Sequence, residues 1–405
     1  MDAPADDELA PTRAAPVAWD LSPRWQRFFY RLNFLFGAVA TCGISLLILG
    51  AGSRFDIGVT ISLSIAMVLI VPVALLVHEG GHWLAARWAG MAIAGIALWS
   101  LEAMPYGHGL RVRWRKRDKA MGVDGYVLAF PDPKRDLRRS LMMHALGGPL
   151  ANLLVAAFSI SAAFYLERSI AKTAWELSAL LNFSMCVGNL FPRMLGSFAS
   201  DGLLWLRASR NSADRIPRST FSIISGRLLH GESVNDLPVE LLERLAAEPE
   251  PMPLYHDWLM LKRSLDVRDL DRVAEFFEKM RTRFGSYDPS KQKAMADLMA
   301  LAEAEWLFSQ AWRTGSPAVL DALDAKQPAF WYTPHLVPRL RALAAALRGD
   351  RDAARKQLAL SRGYAEGAAD PSLRAEEARL RREIEALIDA GPGSLHKDRE
   401  TVASA

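Results

Sequence analysis

The feature that most constrains this chain is the presence of long apolar stretches without a charged residue. Two of them come early, between Arg31 and Arg54 and from Ile57 to Val77. A run of about 20 apolar residues matches the thickness of a bilayer core in helical form, and a helix satisfies its own backbone hydrogen bonds there. We therefore predict an integral, multi-pass membrane protein.

The apolar stretches predict about four membrane-spanning helices. We place the spans at residues 32–52, 57–89, 141–166 and 177–191. The second span contains Pro72, which is tolerated in a spanning helix and should kink its axis. The fourth span is the shortest of the set.

Composition excludes several classes of protein. The chain has 405 residues and a net charge of +4, which is too small and too diffuse to favour nucleic acid as a partner. Cys42 and Cys186 both lie in apolar runs, which excludes a disulfide framework and gives no cysteine metal site. Residues 1–22 are acidic and rich in proline and alanine, so we predict a disordered tail and no cleavable signal peptide.

The distribution of basic residues predicts the orientation in the membrane. Most of them lie before the first span, in the loop 91–140 and after residue 207, whereas the other two loops carry only Arg54, Arg168 and Lys172. Because cytoplasmic loops carry the excess of Lys and Arg, we expect both termini in the cytoplasm, and the bacterial inner membrane as the location. The basic loop favours contact with anionic lipid over nucleic acid.

The predicted fold is all-α and has three parts. A tail and membrane-entry segment occupies residues 1–30, a membrane-embedded domain 31–207, and a cytoplasmic α-helical, TPR-like domain 208–405. A short β-hairpin is plausible in the 91–140 loop, because GHGLRVRWRK alternates polar and apolar residues.

Amphipathic helical patterns recur in the last part of the chain, beginning at Asp269, Gly315 and Gly349. The later two are 34 residues apart, which is a helical-repeat period. A repeat domain presents an extended surface, so we expect it to bind a protein partner or to pack on the membrane domain. The aromatic segment 330–338 is expected to pack between its helices.

The second predicted span ends in His78-Glu79-Gly80-Gly81-His82. Positions i and i+4 share one helix face, so the two imidazoles can converge on one metal ion. Glu79 is offset by one residue and can act as general base toward a water that this metal activates. Each glycine costs roughly 1 kcal/mol in a helix interior, and we expect the pair to leave open space for an extended peptide. Ionisable residues at membrane depth favour a functional site over a chance pattern.

A catalytic zinc site is expected to have a third protein ligand. Asp201 is the candidate, because the second and fourth spans run toward the same side and should reach His78 and Asp201 at similar depth. The alternative role for Asp201 is a helix N-cap, since Ser200-Asp201 precedes an apolar run. His144, at the start of the third span, is a weaker candidate ligand, and His108 in the polar loop is expected to be solvated.

The third span opens with GGPLAN, residues 147–152. Small residues allow close helix packing in membranes, which is one explanation of this segment. Pro149 frees backbone groups, and Asn152 is a polar side chain that needs a partner. The other explanation is that Asn152 holds substrate or polarises a carbonyl.

Taken in order, these motifs resemble the site-2 protease family of intramembrane zinc metalloproteases. The resemblance covers roughly residues 32–207. Its motifs are HEGGH at the end of a span, GGPLAN at the start of a later one, and Asn189-x-x-Pro192 followed by Ser200-Asp201-Gly202. The interval from Asn189 to Asp201 is longer than in the usual family pattern, and no segment is typical of a PDZ or CBS domain.

The resemblance implies a zinc site and a set of residue roles. The implied zinc ligands are His78, His82 and Asp201. Glu79 is the implied catalytic base, and the residues implied to lie near the substrate are Asn152 and Asn189. Family members cut membrane-spanning or membrane-adjacent peptides and often release a regulator.

The predicted function is an intramembrane zinc metalloendopeptidase that cuts peptide bonds in or near transmembrane segments of its substrates. The alternative is a non-catalytic, membrane-anchored helical scaffold with a structural or vestigial metal site. A third possibility, a soluble zincin with a membrane anchor, requires the HExxH motif outside the bilayer and a downstream His or Glu ligand. The expected partners are a membrane protein or membrane-associated peptide, the lipid bilayer, and a protein that binds the C-terminal domain.

Overall fold

The structure is a computed structural model that describes residues 19–54, 56–115, 124–195, 198–216 and 219–392. The described part is mostly helical and contains a four-stranded and a two-stranded antiparallel sheet. Most of the tail predicted to be disordered and the end of the predicted hairpin, Lys116, lie outside the described residues.

Three helices in the described part are long and apolar enough to cross a membrane: α1 (Pro23–Arg54), α2 (Ile57–Trp88) and α3 (Leu137–Phe164). Their most apolar windows are only 11%, 22% and 33% buried inside the protein. Large apolar side chains such as Phe34 and Val68 are therefore exposed along their outer faces. An exposed apolar surface of this extent indicates membrane association.

The fourth predicted span lies in α4 (Ile170–Leu190), which does not have the composition of the other three. Its first half carries Lys172 and Glu176. Three helices of the described chain, rather than four, therefore have both the length and the apolar composition of a span. The helix α4 packs against α1, α2 and α3, so it completes the bundle around the site described below.

An antiparallel sheet follows α2, so the all-α prediction is incomplete. Its strands are β1 (Ala92–Leu98), β2 (Leu101–Tyr106), β3 (Gly109–Trp114) and β4 (Gly125–Phe130), in the order β3-β2-β1-β4. The predicted hairpin corresponds to the β2–β3 turn and to β3. The pairing of β1 with β4 joins distant segments, and local alternation in the sequence does not reveal it.

A small hairpin connects α4 to the next helix. It consists of β5 (Met194–Leu195) and β6 (Phe198–Ala199), and α5 (Asp201–Arg210) follows. The predicted domain boundary at 207/208 lies inside α5. Arg207 forms an ion pair with Asp20 at 2.7 Å, so the end of the predicted disordered tail is held against this helix.

The C-terminal part is built from helices: α6 (Thr220–Leu229), α7 (Val239–Ala247), α8 (Met252–Asp266), α9 (Leu270–Gly285), α10 (Pro289–Thr314), α11 (Leu336–Leu347), α12 (Arg351–Glu366) and α13 (Pro371–Ala390). The patterns at Asp269 and Gly349 precede α9 and α12, each the second member of a packed helix pair. The prediction of an amphipathic helix that begins at Gly315 is wrong. Gly315 ends α10 with a φ of +69°, and only the short 3-10 helix Pro317–Ala322 follows.

The β2–β3 hairpin docks on the C-terminal helices. The Tyr332 hydroxyl donates a hydrogen bond to Glu102 at 2.7 Å. The Arg113 guanidinium lies 4.1 Å from the centre of the Trp331 ring, and Gly107 N–H donates to the Gly367 carbonyl at 2.7 Å. The prediction that the aromatic segment packs only between helices is therefore wrong for Trp331 and Tyr332, which face the sheet.

Candidate metal centre

Three of the predicted site residues meet at the end of α2. The Nε2 atoms of His78 and His82 lie 3.2 Å apart. The Asp201 carboxylate lies 3.2 Å from His78 Nε2 through one oxygen and 3.4 Å from His82 Nε2 through the other. The two imidazoles are buried, and Asp201 is partly buried. Among the described residues, these three form the group of histidine and acidic side chains whose ligand atoms lie close enough together to hold a metal ion.

Glycines allow α2 and α3 to approach closely at this point. A Cβ atom on Gly81 would lie 2.3 Å from the Gly147 carbonyl oxygen, and one on Gly148 would lie 2.4 Å from His82 Nε2. Gly81 is therefore needed for helix packing, so the prediction that it leaves open space for a peptide is wrong for this residue. Gly80 does fit that prediction, because a Cβ atom there would meet nothing within 4 Å.

Asn152 fixes the tautomer of His78. Its amide nitrogen donates to the Ala74 carbonyl at 3.0 Å, and a carbonyl can only accept, so the amide oxygen must face His78. That oxygen lies 2.6 Å from His78 Nδ1, which therefore carries the hydrogen. The lone pair of His78 Nε2 is left pointing toward His82 and Asp201.

The backbone of His144 fixes His82 in the same way. The His144 carbonyl oxygen lies 2.7 Å from His82 Nδ1, which must donate to it. His144 itself is not part of the converging cluster, since its own Nδ1 lies 3.4 Å from the His82 carbonyl. It acts through its backbone, so the weaker prediction that its imidazole is a ligand is not supported by the geometry.

The β5–β6 hairpin brings Asp201 into the cluster. Ser200, rather than Asp201, is the N-cap of α5: its hydroxyl oxygen accepts from Leu203 N–H at 3.3 Å and donates to the Phe191 carbonyl at 2.8 Å. The N-cap alternative for Asp201 is therefore wrong, and its carboxylate is left to face the histidines. The hairpin accounts for the long interval between Asn189 and Asp201.

The donor set and spacing fit a tetrahedral metal ion. Two imidazole nitrogens and a carboxylate oxygen can all act as ligands, so a metal ion, or a proton on one imidazole, can occupy the point where they converge. Ligands held about 2.0–2.1 Å from one tetrahedral zinc ion lie roughly 3.3 Å apart, close to the observed separations. Burial alone would raise the pKa of Asp201, but in the metal-free protein a proton on a neighbouring imidazole lowers it below its usual range, which keeps the carboxylate anionic.

Glu79 lies beside the cluster without being part of it. Its side chain is buried, and its Oε2 atom has no hydrogen-bond partner in the protein. The carboxylate packs against the start of β4, where a Cβ on Gly125 would lie 2.7 Å from Glu79 Oε1. An unpartnered buried carboxylate next to a candidate metal site is available to accept a proton.

The two asparagines predicted to bind substrate have different environments. Asn152 is fully buried, and its amide contacts His78, Ala74 and Asn182, which gives it a positioning role, while its contact with substrate stays a prediction. Asn189 lies in the last turn of α4, where its amide donates to the Met185 carbonyl at 3.0 Å. Its role near a substrate remains a prediction.

Sequence reasoning missed two residues that support the site. Asn182 accepts a hydrogen bond from the Asn152 amide at 2.8 Å and holds it from α4. Gly125 forms the wall against the Glu79 carboxylate. A polar residue inside the apolar run of α4 was an available signal for Asn182, whereas the contact of Gly125 depends on the sheet.

Comparison with protein-family models, with curated proteins and with solved structures gives no match.

Proposed function

We propose that this protein is an intramembrane zinc metalloendopeptidase that hydrolyses peptide bonds in or near the transmembrane segments of membrane proteins. The observation that carries the proposal is the convergence of His78, His82 and Asp201 within 3.4 Å of one another, with the free carboxylate of Glu79 beside them. The order of motifs that resembles the site-2 protease family is consistent with it.

The number of ligands favours a catalytic site over a structural one. Structural zinc sites are normally closed by four protein ligands, whereas catalytic sites have three and leave one position open. The cluster provides three. Bound zinc would supply a Lewis acid that activates water and polarises the scissile carbonyl.

The residues of the chain supply binding, orientation and proton transfer. Asn152 and the His144 carbonyl hold both imidazoles with their Nε2 lone pairs toward the centre. Glu79 accepts the proton of the attacking water and then donates it to the leaving amine nitrogen. The open side of Gly80 provides room for an extended backbone, which a substrate helix must adopt because a helical backbone hides its carbonyls.

The position of the site along α2 supports a membrane-embedded substrate. From Ile57 to His78 the helix rises about 32 Å, close to the thickness of a bilayer core. The site would therefore lie at the far boundary of the apolar layer. With α4 as a fourth, less apolar crossing and cytoplasmic termini, as the basic residues favour, this boundary is the cytoplasmic one, in a multi-pass protein of the bacterial inner membrane.

The proposal is tested with the full chain in lipid nanodiscs. Zinc content is measured by mass spectrometry, and cleavage is measured on co-reconstituted single-span membrane proteins whose new termini are sequenced. Glu79→Gln should retain zinc and lower cleavage by ~10²–10⁴-fold, because only the proton-transfer group is removed. His82→Ala should lose both zinc and cleavage. Glu176→Gln, on α4 outside the cluster, is the matched control and should behave like the wild type.

Each outcome discriminates among the candidate functions. Wild-type cleavage by Glu79→Gln would reject Glu79 as the base. Unchanged zinc content in His82→Ala would reject the ligand assignment. Zinc bound without cleavage of any substrate by the wild type would favour the non-catalytic scaffold.

A further inference from the structure

A second polar site lies in the C-terminal domain, far along the chain from the metal centre. A cavity of about 400 Å³ opens between α8, α10 and α13. Its wall carries the charged side chains of Lys262, Glu305, Glu376 and Glu377. Cores rarely bury so many ionisable groups around an opening unless the groups are paired or bind something.

Most of these charges are paired within the protein. Arg339, which is completely buried behind the wall, binds Glu305 through one terminal nitrogen and Glu377 through the other. Lys262 donates to the second oxygen of Glu305 at 2.8 Å and also pairs with Glu376. These pairs hold α8, α10, α11 and α13 together.

The pairing is incomplete at Glu377. Its Oε1 atom is bound by Arg339, but Oε2 has no hydrogen-bond partner, although the residue is only 1% exposed. Burial raises the pKa of Glu377, and the nearby Arg339, Lys262 and Arg381 oppose this rise only in part. A buried carboxylate oxygen that faces a cavity and lacks a donor is suited to bind a cationic group.

The side chains that line the cavity include more acidic than basic groups. Five carboxyl groups line it, those of Asp266, Glu305, Asp370, Glu376 and Glu377, against the three cations Lys262, Arg379 and Arg382. Arg339 and Arg381 act on Glu377 from outside this lining and bring the cations to five, so the unpartnered Glu377 Oε2, rather than a net negative charge, favours a cationic ligand. His335 adds no cation, because burial and the neighbouring Arg339 lower its pKa to about 3.

The rest of the wall is partly apolar and also includes the hydroxyl groups of Ser233, Thr333 and Ser372. Trp258, Leu259, Leu301 and Leu373 line the cavity around the charged floor. A ligand that fits must therefore combine a cationic end with apolar surface. The long aliphatic stem and charged tip of lysine or arginine have this chemistry.

We propose that this cavity is a binding site for a peptide, and that it takes one Lys or Arg side chain of an otherwise apolar segment against Glu377. Membrane proteins carry their excess of Lys and Arg in the cytoplasmic flanks of their spans, so the flank of the membrane substrate is the source that this chemistry indicates. Only that choice of source rests on the proposed function. The binding site itself does not depend on peptide hydrolysis.

The experiment measures peptide binding to the full chain carrying Glu79→Gln, in nanodiscs of zwitterionic lipid that do not attract basic peptides. The probe is a fluorescent, N-acetylated and C-amidated peptide of serine and leucine with one central lysine. Matched peptides replace this lysine by arginine or by acetyllysine, and a further peptide has a free N-terminus and no lysine. The lysine and arginine peptides should bind at least about tenfold more tightly than the acetyllysine peptide, since a charged hydrogen bond is lost.

Two variants locate the site. Glu377→Gln should weaken binding of the lysine peptide at least about tenfold. Ala375→Trp fills the mouth of the cavity from the exposed side of α13 without breaking an ion pair, and it should have a similar effect even if Glu377→Gln unfolds. Glu385→Gln makes the same charge change on an exposed part of α13 and should leave binding unchanged.

The outcomes separate this proposal from the proposed function. Equal affinity for the lysine and acetyllysine peptides, or wild-type affinity in Ala375→Trp, would overturn the cavity assignment and leave the protease proposal intact. If only the peptide with a free N-terminus and no lysine bound tightly, the cavity would be a site for a peptide terminus and not for a Lys or Arg side chain. Conversely, absence of cleavage with intact lysine-dependent binding would leave the cavity assignment standing.

Discussion

The protein buries two polar clusters, and they differ in what completes them. In the metal centre, His78, His82 and Asp201 present electron donors to a common point. In the C-terminal domain, Arg339 lies between Glu305 and Glu377 and supplies the positive charge itself. In the proposed function the first cluster takes its cation from outside the chain, whereas the second carries most of its cations with it.

This difference predicts different effects on folding. A buried ion network whose charges are paired within the chain becomes strongly destabilising when one partner is removed, because an uncompensated charge stays in the interior. In the metal-free metal centre a proton on an imidazole pairs with Asp201, and removal of one histidine leaves the other beside the carboxylate, so it should destabilise the protein less. The network holds helices together, whereas the candidate metal centre is proposed to bind an ion.

The largest expected effect on stability is therefore at Arg339. Arg339→Met should destabilise the C-terminal domain by about 3–5 kcal/mol, because it leaves Glu305 and Glu377 buried without their cation. Hydrogen-exchange mass spectrometry of the full chain in nanodiscs would detect the loss of protection in α10, α11 and α13. Zinc content should stay at the wild-type value, since no ligand is touched.

The matched change in the other cluster is His82→Ala. It should abolish zinc binding and lower hydrogen-exchange protection of the metal-free protein in α2 and α3 by less than Arg339→Met lowers it in the C-terminal helices, because His78 still pairs with Asp201. A loss of protection there as large as that caused by Arg339→Met would contradict the distinction between the two clusters. So would wild-type protection of the C-terminal helices in Arg339→Met.

The spacing of the first cluster made part of it predictable from the sequence. Two histidines four residues apart on a helix must share a face, and the direction of the spans places Asp201 on the same side. The role of Asn152 was not predictable, because it depends on which carbonyl its amide meets. The second cluster was missed altogether: Arg339 and Glu377 lie 38 residues apart, and only the packing of α11 on α13 joins them.

The sheet and the helical repeats were predictable only where they depend on local sequence. The turn at Gly107 and His108 has a local signal, whereas β1 and β4 pair across an interval that includes two other strands. The pattern at Gly315 has the apolar periodicity of a helix, but Pro317 and a left-handed glycine restrict it to a short 3-10 helix. Periodicity describes local preference and contains no information on non-local pairing.

A smaller effect is expected from the residue that orients a ligand rather than acting as one. Asn152→Ala removes the acceptor of His78 Nδ1–H and should weaken zinc affinity by about 10–100-fold, because the imidazole is no longer held in one tautomer and orientation. Competition with a chelator of known affinity would measure it. Ser159 lies further along α3 and forms a hydrogen bond with Ser178 of α4. Ser159→Ala removes this bond, so it is the control and should not change zinc affinity.

An intermediate result would also be informative. If Asn152→Ala bound zinc as tightly as the wild type, the orientation of His78 would have to come from helix packing alone. If Ser159→Ala weakened zinc binding equally, the effect would be one of α3–α4 packing rather than of the hydrogen bond to His78.

The smallest expected effect is the pH dependence of the self-paired network. Burial, Arg339 and Lys262 lower the pKa of His335 to about 3, whereas an unfolded chain titrates near 6.5. Between these values the unfolded chain binds more protons, so the free energy of unfolding of the C-terminal domain should fall as the pH falls below about 6.5, by at most about 1.4 kcal/mol for each pH unit. Burial raises the pKa values of Glu376 and Glu377, so these carboxyls titrate in the opposite sense.

The contribution of His335 is isolated by comparing the wild type with His335→Gln, because the carboxyl groups are common to both. Hydrogen-exchange protection of α11 and α13, measured from pH 7.5 to pH 5.5 with correction for the intrinsic exchange rate, should fall more steeply in the wild type. Parallel pH profiles would show that His335 does not stay neutral in the folded protein. The network around Arg339 would then bind a proton from solvent at His335. Both clusters would take up a cation from outside the chain, and they would differ only in how much of their positive charge the chain supplies.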